Sequence, residues 1–373
     1  MSEDGTSSSE PHKRPYRPPT DPIHQNLIGI ATAGRHESKI QRLLDYGADS
    51  DYTDAAGLTA MHHAAYHGHA HVVRALIADH ADVNAFHDCY GTPLCLAAVT
   101  SNVPLVDLLL AGGANPESPA GWLGSALHCA CASIETHVFD RLIAAGGTLR
   151  DCTISKSLVR KLSRRESAIL EPISLERRVY SWYNNGLPTA LAAMLGHTNL
   201  IKRCIELGDT VNGHYDYWEH FPTARPYITD TKVRSRHFGI TYLMATASDR
   251  HCEALSYLVQ MGADPLAQDG GGLKALHHLV RSHAPVDDGK RAQMIGLLCQ
   301  NPGDIDTCDG AGWTALHKAV YVRSYDFVKA LIEYGADPDK VNDEGQAARD
   351  LYRESNPFDR ELEELWNKKQ RST

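Results

Sequence analysis

The chain has 373 residues, with 37 lysines and arginines against 46 aspartates and glutamates, and its formal charge is therefore −9. A general nucleic-acid-binding protein needs surplus positive charge to displace counterions from phosphates, so this balance argues against that class. The sequence has no apolar run of the ~18 residues that a membrane span requires, and its N-terminus lacks the apolar core of a secretory signal. We therefore expect neither nucleic acid nor a membrane as a partner.

The N-terminal segment and the cysteines place the chain in a broad class. Residues 1–21 contain four prolines and many serines and threonines without hydrophobic periodicity, so we predict that they are disordered. The nine cysteines are odd in number and irregularly spaced. Without a secretory signal, they are expected to be reduced thiols, which predicts a cytoplasmic or nuclear location.

A pattern of 33 residues recurs along the chain. Residues 57–84 read GLTAMHHAAYHGHAHVVRALIADHADVN, and residues 312–338 read GWTALHKAVYVRSYDFVKALIEYGADP. Each copy has a polar opening, a small-residue segment, an aliphatic segment and an ending similar to G-A-D. We use the position of Thr59 as the marker position of each copy. Successive markers are separated by 33 residues, except for three longer intervals that contain 29, 21 and 7 additional residues. The marker residues are Asn26, Thr59, Thr92, Ser125, Leu187, Thr241, Lys274, Thr314 and Ala347.

The repeated segment resembles the ankyrin repeat family. TAMHHA at residues 59–64 and TALHKA at residues 314–319 are close copies of the T-P-L-H-x-A signature of that family, at its period of 33 residues. The resemblance covers about residues 22–366. It implies an all-α solenoid of about eight or nine stacked helix–turn–helix units, with β-hairpin fingers between them.

The residues of one copy suit that fold. Thr59 can cap a first helix, and the small Ala64 lets neighbouring first helices approach closely. Val72 and Leu76 have the spacing of one buried face of a second helix. By resemblance, eight histidines at consensus positions form hydrogen bonds between repeats. They are His36, His62, His69, His128, His197, His251, His277 and His317.

The first long insertion covers about residues 152–184. It begins with basic residues and ends with the aromatic Trp182 and Tyr183. Ser163 and Ser167 each follow basic residues, as in basophilic kinase sites, and are possible phosphorylation sites. The alternative is that the segment is a solvated helical extension, because such short patterns are common.

The second long insertion covers about residues 213–238 and contains six aromatic residues, among them Tyr217 and Trp218. Two prolines forbid a continuous helix there. These aromatic rings either form a recognition hot spot or pack on the flank of their own solenoid. Because the two insertions bracket the same repeat, they could close over one patch of the concave surface. A third, short insertion is predicted at about residues 283–290.

The C-terminal residues predict a final helix and a tail. Phe358, Leu362, Leu365 and Trp366 share the spacing of one apolar helix face, which suits a helix that closes the array. Residues 367–373 are expected to form a flexible tail.

The sequence offers little support for catalysis or for metal binding. Five histidines lie between His62 and His71, but no cysteine or carboxylate completes a known zinc-ligand spacing. The common catalytic motifs are missing, so we expect no catalytic residue, no metal and no cofactor. The alternative is an acid–base site in the second insertion, formed by His214, Asp216, Tyr217 and His220.

The resemblance implies a non-catalytic scaffold or adaptor that binds another protein through its concave face and fingers. We expect a monomer. The alternative is a ligand-binding or enzymatic solenoid whose pocket is roofed by the aromatic insertions. Contact residues should be those that depart from the repeat consensus on the fingers and first helices. The predicted contact residues are Leu58, Tyr66, His67, Tyr90, Trp122, Trp182, Tyr183, Tyr217, Trp218, Trp313 and Tyr321.

Overall fold

The structure is a computed structural model. It describes residues 21–35, 37–88, 90–120, 124–131, 136–149, 182–185, 188–219, 236–281, 286–355 and 366. No helix in these ranges is long and apolar enough to cross a membrane.

Each marker residue from Thr59 onward directly precedes a helix, as the repeat predicts. At Thr59 and Thr314 the side-chain oxygen accepts a hydrogen bond from the N–H three residues later, which satisfies one of the open donors of the first turn. The histidine of the T-x-L-H motif returns the bond, since Nδ1 of His62 accepts the N–H of Thr59. The sequence motif is therefore a local helix-start signal.

The helices form pairs in which a first helix is followed by an antiparallel second helix. The first helices are α1 (Pro22–Ala33), α3 (Ala60–His67), α5 (Pro93–Val99), α7 (Ala126–Cys131), α9 (Pro188–Leu195), α11 (Tyr242–Ser248), α13 (Ala275–Arg281), α15 (Ala315–Tyr321) and α17 (Ala348–Ser355). The second helices are α2 (Glu37–Asp45), α4 (Ala70–Ala78), α6 (Val103–Ala111), α8 (Thr136–Ala144), α10 (Thr198–Glu206), α12 (Cys252–Gln260), α14 (Asp288–Leu298) and α16 (Tyr325–Glu333).

The pairs stack into one two-layer solenoid. First helices pack on first helices from α1 to α17, and second helices pack on second helices from α2 to α16. The contact of α7 with α9, and of α8 with α10, continues the stack past the first long insertion. Small residues such as Ala64, Ala97 and Ala192 are completely buried between the first helices, so close approach of the helices creates the core.

The consensus histidines connect neighbouring repeats, as the resemblance implied. His62 Nε2 donates to the carbonyl of Gly91 at 3.1 Å, and His317 Nε2 donates to that of Gln346 at 3.0 Å. His69 and His251 bond to carbonyls of the preceding repeat at 3.1 and 2.9 Å. These side chains are therefore structural; His36 lies outside the described residues.

The middle fingers depart from the short hairpins of the other repeats. Strands β1 (Pro119–Ala120) and β2 (Gly124–Ser125) form a two-stranded finger. Strands β3 (Trp182–Asn185), β4 (His214–Glu219) and β5 (Arg236–Thr241) form a three-stranded antiparallel sheet in that order. The helical-extension interpretation of the first insertion is therefore wrong for residues 182–184, which are extended and pair with the second insertion.

The ends and the short insertion also refine the sequence prediction. Asp21 caps α1, so the first helix begins at Pro22 and includes the marker Asn26. The short insertion predicted at 283–290 ends inside a helix, because Asp287 caps α14 at Asp288. At the other end Trp366 is fully buried and packs edge-on against Tyr352, with ring centroids 5.2 Å apart. The other predicted residues of the closing helix, residues 1–20 and residues 367–373 lie outside the described residues.

Candidate functional site

The first helices expose side chains mainly at the two ends of the array. The position four residues after the marker holds His63 on α3 and Lys318 on α15, which are 20% and 22% exposed. In the middle repeats the same position is buried, as at Leu96, Cys129 and Leu191. The candidate site therefore has two separate parts, which we call the N-terminal patch (His63, Tyr66, His67) and the C-terminal patch (Trp313, Lys318, Tyr321).

An aspartate at the base of the finger holds the exposed helix side chain in both patches. Asp54 Oδ1 accepts the N–H groups of Ala56 and Leu58, and its Oδ2 lies 2.8 Å from His63 Nε2. Burial raises the pKa of Asp54, but the backbone and His63 hydrogen bonds outweigh it and hold the pKa below its usual value. Asp54 is therefore an ionised anchor for the finger and the helix together.

The C-terminal patch repeats this anchor with different chemistry. Asp309 Oδ1 accepts the N–H groups of Ala311 and Trp313, and its Oδ2 lies 2.7 Å from Lys318 Nζ. Burial again raises the pKa of Asp309, and the Lys318 ammonium and the backbone donors lower it further than burial raises it. A third pair of this kind is buried, and in it Asp269 Oδ2 lies 3.0 Å from His278 Nε2.

The N-terminal patch is a run of aromatic rings. Tyr66 is half-buried and meets the exposed His67 edge-on at 5.0 Å, and His67 stacks on His69 at 5.8 Å. Burial lowers the pKa of His67, and so do the neighbouring imidazoles. Tyr90 stacks on His87 at 5.1 Å in the next finger. The structure thus places Tyr66, His67 and Tyr90 at or near the surface.

The C-terminal patch presents the most exposed aromatic ring among the described large hydrophobic residues. Tyr321 is 74% exposed and meets the half-buried Trp313 edge-on at 5.6 Å. Lys318 Nζ lies 4.8 Å from the centre of the Trp313 ring. A rigid aromatic pair beside a cation is typical of a binding hot spot, since it offers contact area at little entropic cost.

The backbones of the two long insertions meet in the three-stranded sheet. Tyr183 lies opposite Trp218 in the register, Asn184 lies opposite Tyr217, and Trp182 lies opposite Glu219. The sequence had placed these four aromatic residues near one repeat, and the strand pairing brings their backbones together. Trp122, Ser163 and Ser167 lie outside the described residues, so the contact and phosphorylation predictions for them remain predictions.

A buried polar cluster anchors the start of β4. Tyr242 OH donates to Asp209 Oδ2 at 3.0 Å, and the Thr189 hydroxyl donates to the same oxygen. Burial raises the pKa of Tyr242 well above its usual value, and the Asp209 charge raises it further. Gly213 lies against the ring, where an added Cβ would be 2.4 Å from it. This cluster places the long finger against the core, and the sequence analysis missed it.

Sequence reasoning also missed the finger aspartates, although a signal was present. An aspartate stands five residues before the marker at positions 54, 269 and 309, and the residue that it holds stands four residues after the marker. The two exposed arginines Arg281 and Arg323 were also missed, because single arginines on a surface carry no pattern.

A groove of about 410 Å³ lies on the second helices α10, α12 and α14, among Lys202, Cys252, Tyr257 and Lys290. None of its lining residues belongs to either long insertion, so it is not the roofed pocket of the alternative hypothesis.

Comparison with known proteins agrees with this architecture. The family profile described as ankyrin repeats (3 copies) matches residues 27–120 and 243–343, which is more than half of the chain. Protein phosphatase 1 regulatory subunit 27 of Homo sapiens is 38% identical over 95 residues, which are 26% of this chain and 55% of that protein. Its Mus musculus counterpart is 38% identical over 80 residues, 21% of this chain and 47% of that protein. The chain thus spans about half the length of these relatives. On the profile match, the helix pairs and the recurring motif, the chain belongs to the ankyrin repeat family.

Proposed function

We propose that the chain is a scaffold or adaptor that binds another protein through the first helices and fingers of its concave face. The observation that carries the proposal is an aromatic ring seven residues after the marker at both ends of the array, namely the half-buried Tyr66 and the exposed Tyr321. Ankyrin arrays use extended concave surfaces for binding, and rigid aromatic residues dominate the free energy of protein interfaces.

The relatives suggest the first partner to test. Their printed name describes a regulatory subunit of protein phosphatase 1. We infer that protein phosphatase 1, or a phosphatase similar to it, is a partner of this chain. In that case the chain acts without catalysis of its own, by positioning the phosphatase.

The proposal is tested by measuring the affinity of the full chain for protein phosphatase 1. We expect the Tyr66→Ala/Tyr321→Ala variant to bind at least about tenfold more weakly, because its two substitutions remove the proposed hot-spot rings. The matched control is Tyr46→Ala/Met261→Ala, which truncates side chains that are 55% and 46% exposed beside the second helices.

The control variant should keep the wild-type affinity, and both variants should keep the wild-type melting temperature. Equal weakening by both variants would contradict binding through the concave face. If the wild-type chain does not bind the phosphatase, that partner is wrong.

A further inference from the structure

Three exposed side chains form a cationic surface at the C-terminal end of the concave face. Arg281 ends α13, Tyr321 ends α15, and Arg323 lies in the turn after α15. Arg281 and Tyr321 occupy the same position, seven residues after the marker, in two neighbouring repeats. Since α13 packs against α15, and packed helix axes lie about 8–10 Å apart, these residues are neighbours. We call Arg281, Tyr321 and Arg323 the cationic surface.

The charges of Arg281 and Arg323 are not neutralised by any described residue. Lys318 is paired with Asp309, but neither Arg281 nor Arg323 forms an ion pair with any residue in the described ranges. Both are exposed, in a chain whose formal charge is −9. The charges of these two arginines are opposite in sign to the net charge of the chain, which favours an acidic partner at this place.

The backbone of Arg323 gives a second, independent observation. Its φ is +57°, in the left-handed region that disfavours side chains, and Gly68 and Gly196 hold the corresponding position in other repeats. Arg250 also adopts this conformation, but its guanidinium stacks on Phe327 at 4.6 Å. The backbone N–H of Arg323 closes the turn by donating to the carbonyl of Val320, and Ser101 adopts the same conformation at this position of another repeat. What distinguishes Arg323 is its exposed side chain, which makes no hydrogen bond, ion pair or ring contact with a described residue, so the fold gives no reason for an arginine at a position that suits glycine.

We propose that the cationic surface binds an acidic, extended segment of a partner protein. The guanidinium groups of Arg281 and Arg323 pair with carboxylates of the segment, for which their planar donors are suited. Tyr321, supported edge-on by Trp313, receives an apolar side chain of the same segment. This inference rests on the proposed function and adds to it the chemistry of the bound segment.

The test uses the full chain and a fluorescein-labelled peptide of glutamates with one central leucine, with fluorescence anisotropy as the readout. We expect this peptide to bind, with an affinity that falls as salt is added, and the same peptide with lysines in place of glutamates not to bind. Arg281→Glu/Arg323→Glu should weaken binding at least about tenfold. The matched control is Arg42→Glu/Arg74→Glu, which makes the same charge change at exposed arginines of α2 and α4.

A second variant separates binding from folding. Arg323→Gly relieves the left-handed strain, so it should weaken peptide binding severalfold while the melting temperature stays equal or rises. The inference is overturned if the wild-type chain does not bind the glutamate peptide, or if the control variant weakens binding as much as the Arg281/Arg323 variant. If the glutamate peptide does not bind but phosphatase binding still depends on Tyr66 and Tyr321, only the acidic-segment inference is wrong, and the proposed function stands.

Discussion

The two ends of the concave face place different chemistry on the same framework. At the N-terminal end Asp54 holds His63 beside Tyr66, and at the C-terminal end Asp309 holds Lys318 beside Tyr321. The repeat positions are identical, and the finger aspartate makes the same two backbone hydrogen bonds in both. The repeat thus determines where a surface side chain stands, while its charge can change from one repeat to the next.

This difference in charge distinguishes the two candidate binding surfaces. Lys318 carries a permanent charge, whereas a histidine side chain is charged only when it is protonated, and burial lowers the pKa of His67 in the N-terminal patch. The arginines that make the C-terminal end cationic have no counterpart in the N-terminal patch, which consists of two histidines and one tyrosine. We therefore expect salt to change binding at the C-terminal end, and pH to change binding at the N-terminal end.

Acidification should have the largest effect, because it acts on the framework that both ends share. Burial lowers the pKa of His62 to about 4 and that of His277 to about 4, below the usual 6.5. Between pH 4 and pH 6.5 these two histidines bind protons in the unfolded chain but not in the folded chain. The free energy of unfolding therefore falls as the pH falls from 6.5 to 4. Each histidine contributes about 3 kcal/mol to this loss. Urea unfolding at a series of pH values measures it.

The variants His62→Gln and His277→Gln sharpen this prediction. Each removes one titrating group, so each should reduce the slope of unfolding free energy against pH in this window by about one proton. The lowered pKa of Asp54 and Asp309 affects stability only at lower pH, as the carboxylates become protonated. An unchanged slope in both variants would show that these histidines are not buried in the neutral form.

Removal of the finger aspartates should affect the two ends unequally. The Asp309 side chain is 4% exposed, so Asp309→Ala leaves two backbone donors and the Lys318 ammonium without their buried partner and should cost about 2–3 kcal/mol. The Asp54 side chain is 25% exposed, so water can replace part of its bonds and Asp54→Ala should cost about 1–2 kcal/mol. Chemical denaturation of each variant measures the difference.

The last finger provides a natural control for this pair. Asn342 Oδ1 accepts the N–H groups of Glu344 and Gln346, just as the aspartates accept theirs. Asp309→Asn should therefore keep the finger turn and lose only the ion pair with Lys318. If Asp309→Asn were as destabilising as Asp309→Ala, the ion pair with Lys318, and not the finger turn, would be the main contribution of Asp309 to the free energy of unfolding.

The sequence predicted the parts of the fold that depend on local and repeated signals. The starts of the first helices from Thr59 onward follow from the motif and its period, because a helix cap and its histidine lie three residues apart. The bonds of the histidines to neighbouring repeats were implied by the resemblance to the family. Surface positions such as the half-buried Tyr66 and the exposed Tyr321 could be identified as departures from the consensus.

The remaining features depend on pairing between distant segments. The three-stranded sheet joins residues 182–185 to residues 214–219, and such pairing has no signal in either segment alone. The contact of Tyr242 with Gly213 and Asp209 likewise arises only when the second long finger folds back on its own repeat. The burial of Leu96 and Leu191 at a position that is open in other repeats also could not be read from the period.

The smallest expected effect compares the two arginines that adopt the left-handed conformation. Replacing either by glycine removes backbone strain of about 1 kcal/mol, although the greater freedom of glycine in the unfolded chain cancels part of this gain. Arg323→Gly should therefore raise the free energy of unfolding by about 0.5 kcal/mol. Arg250→Gly also removes the stacking of the guanidinium on Phe327, and should lower it by a similar amount. Urea unfolding measures both changes in the free energy of unfolding. Changes of opposite sign would show that Arg250 stabilises the fold and that the fold does not need the Arg323 side chain. A loss of stability in both variants would mean that Arg323 has a structural role as well.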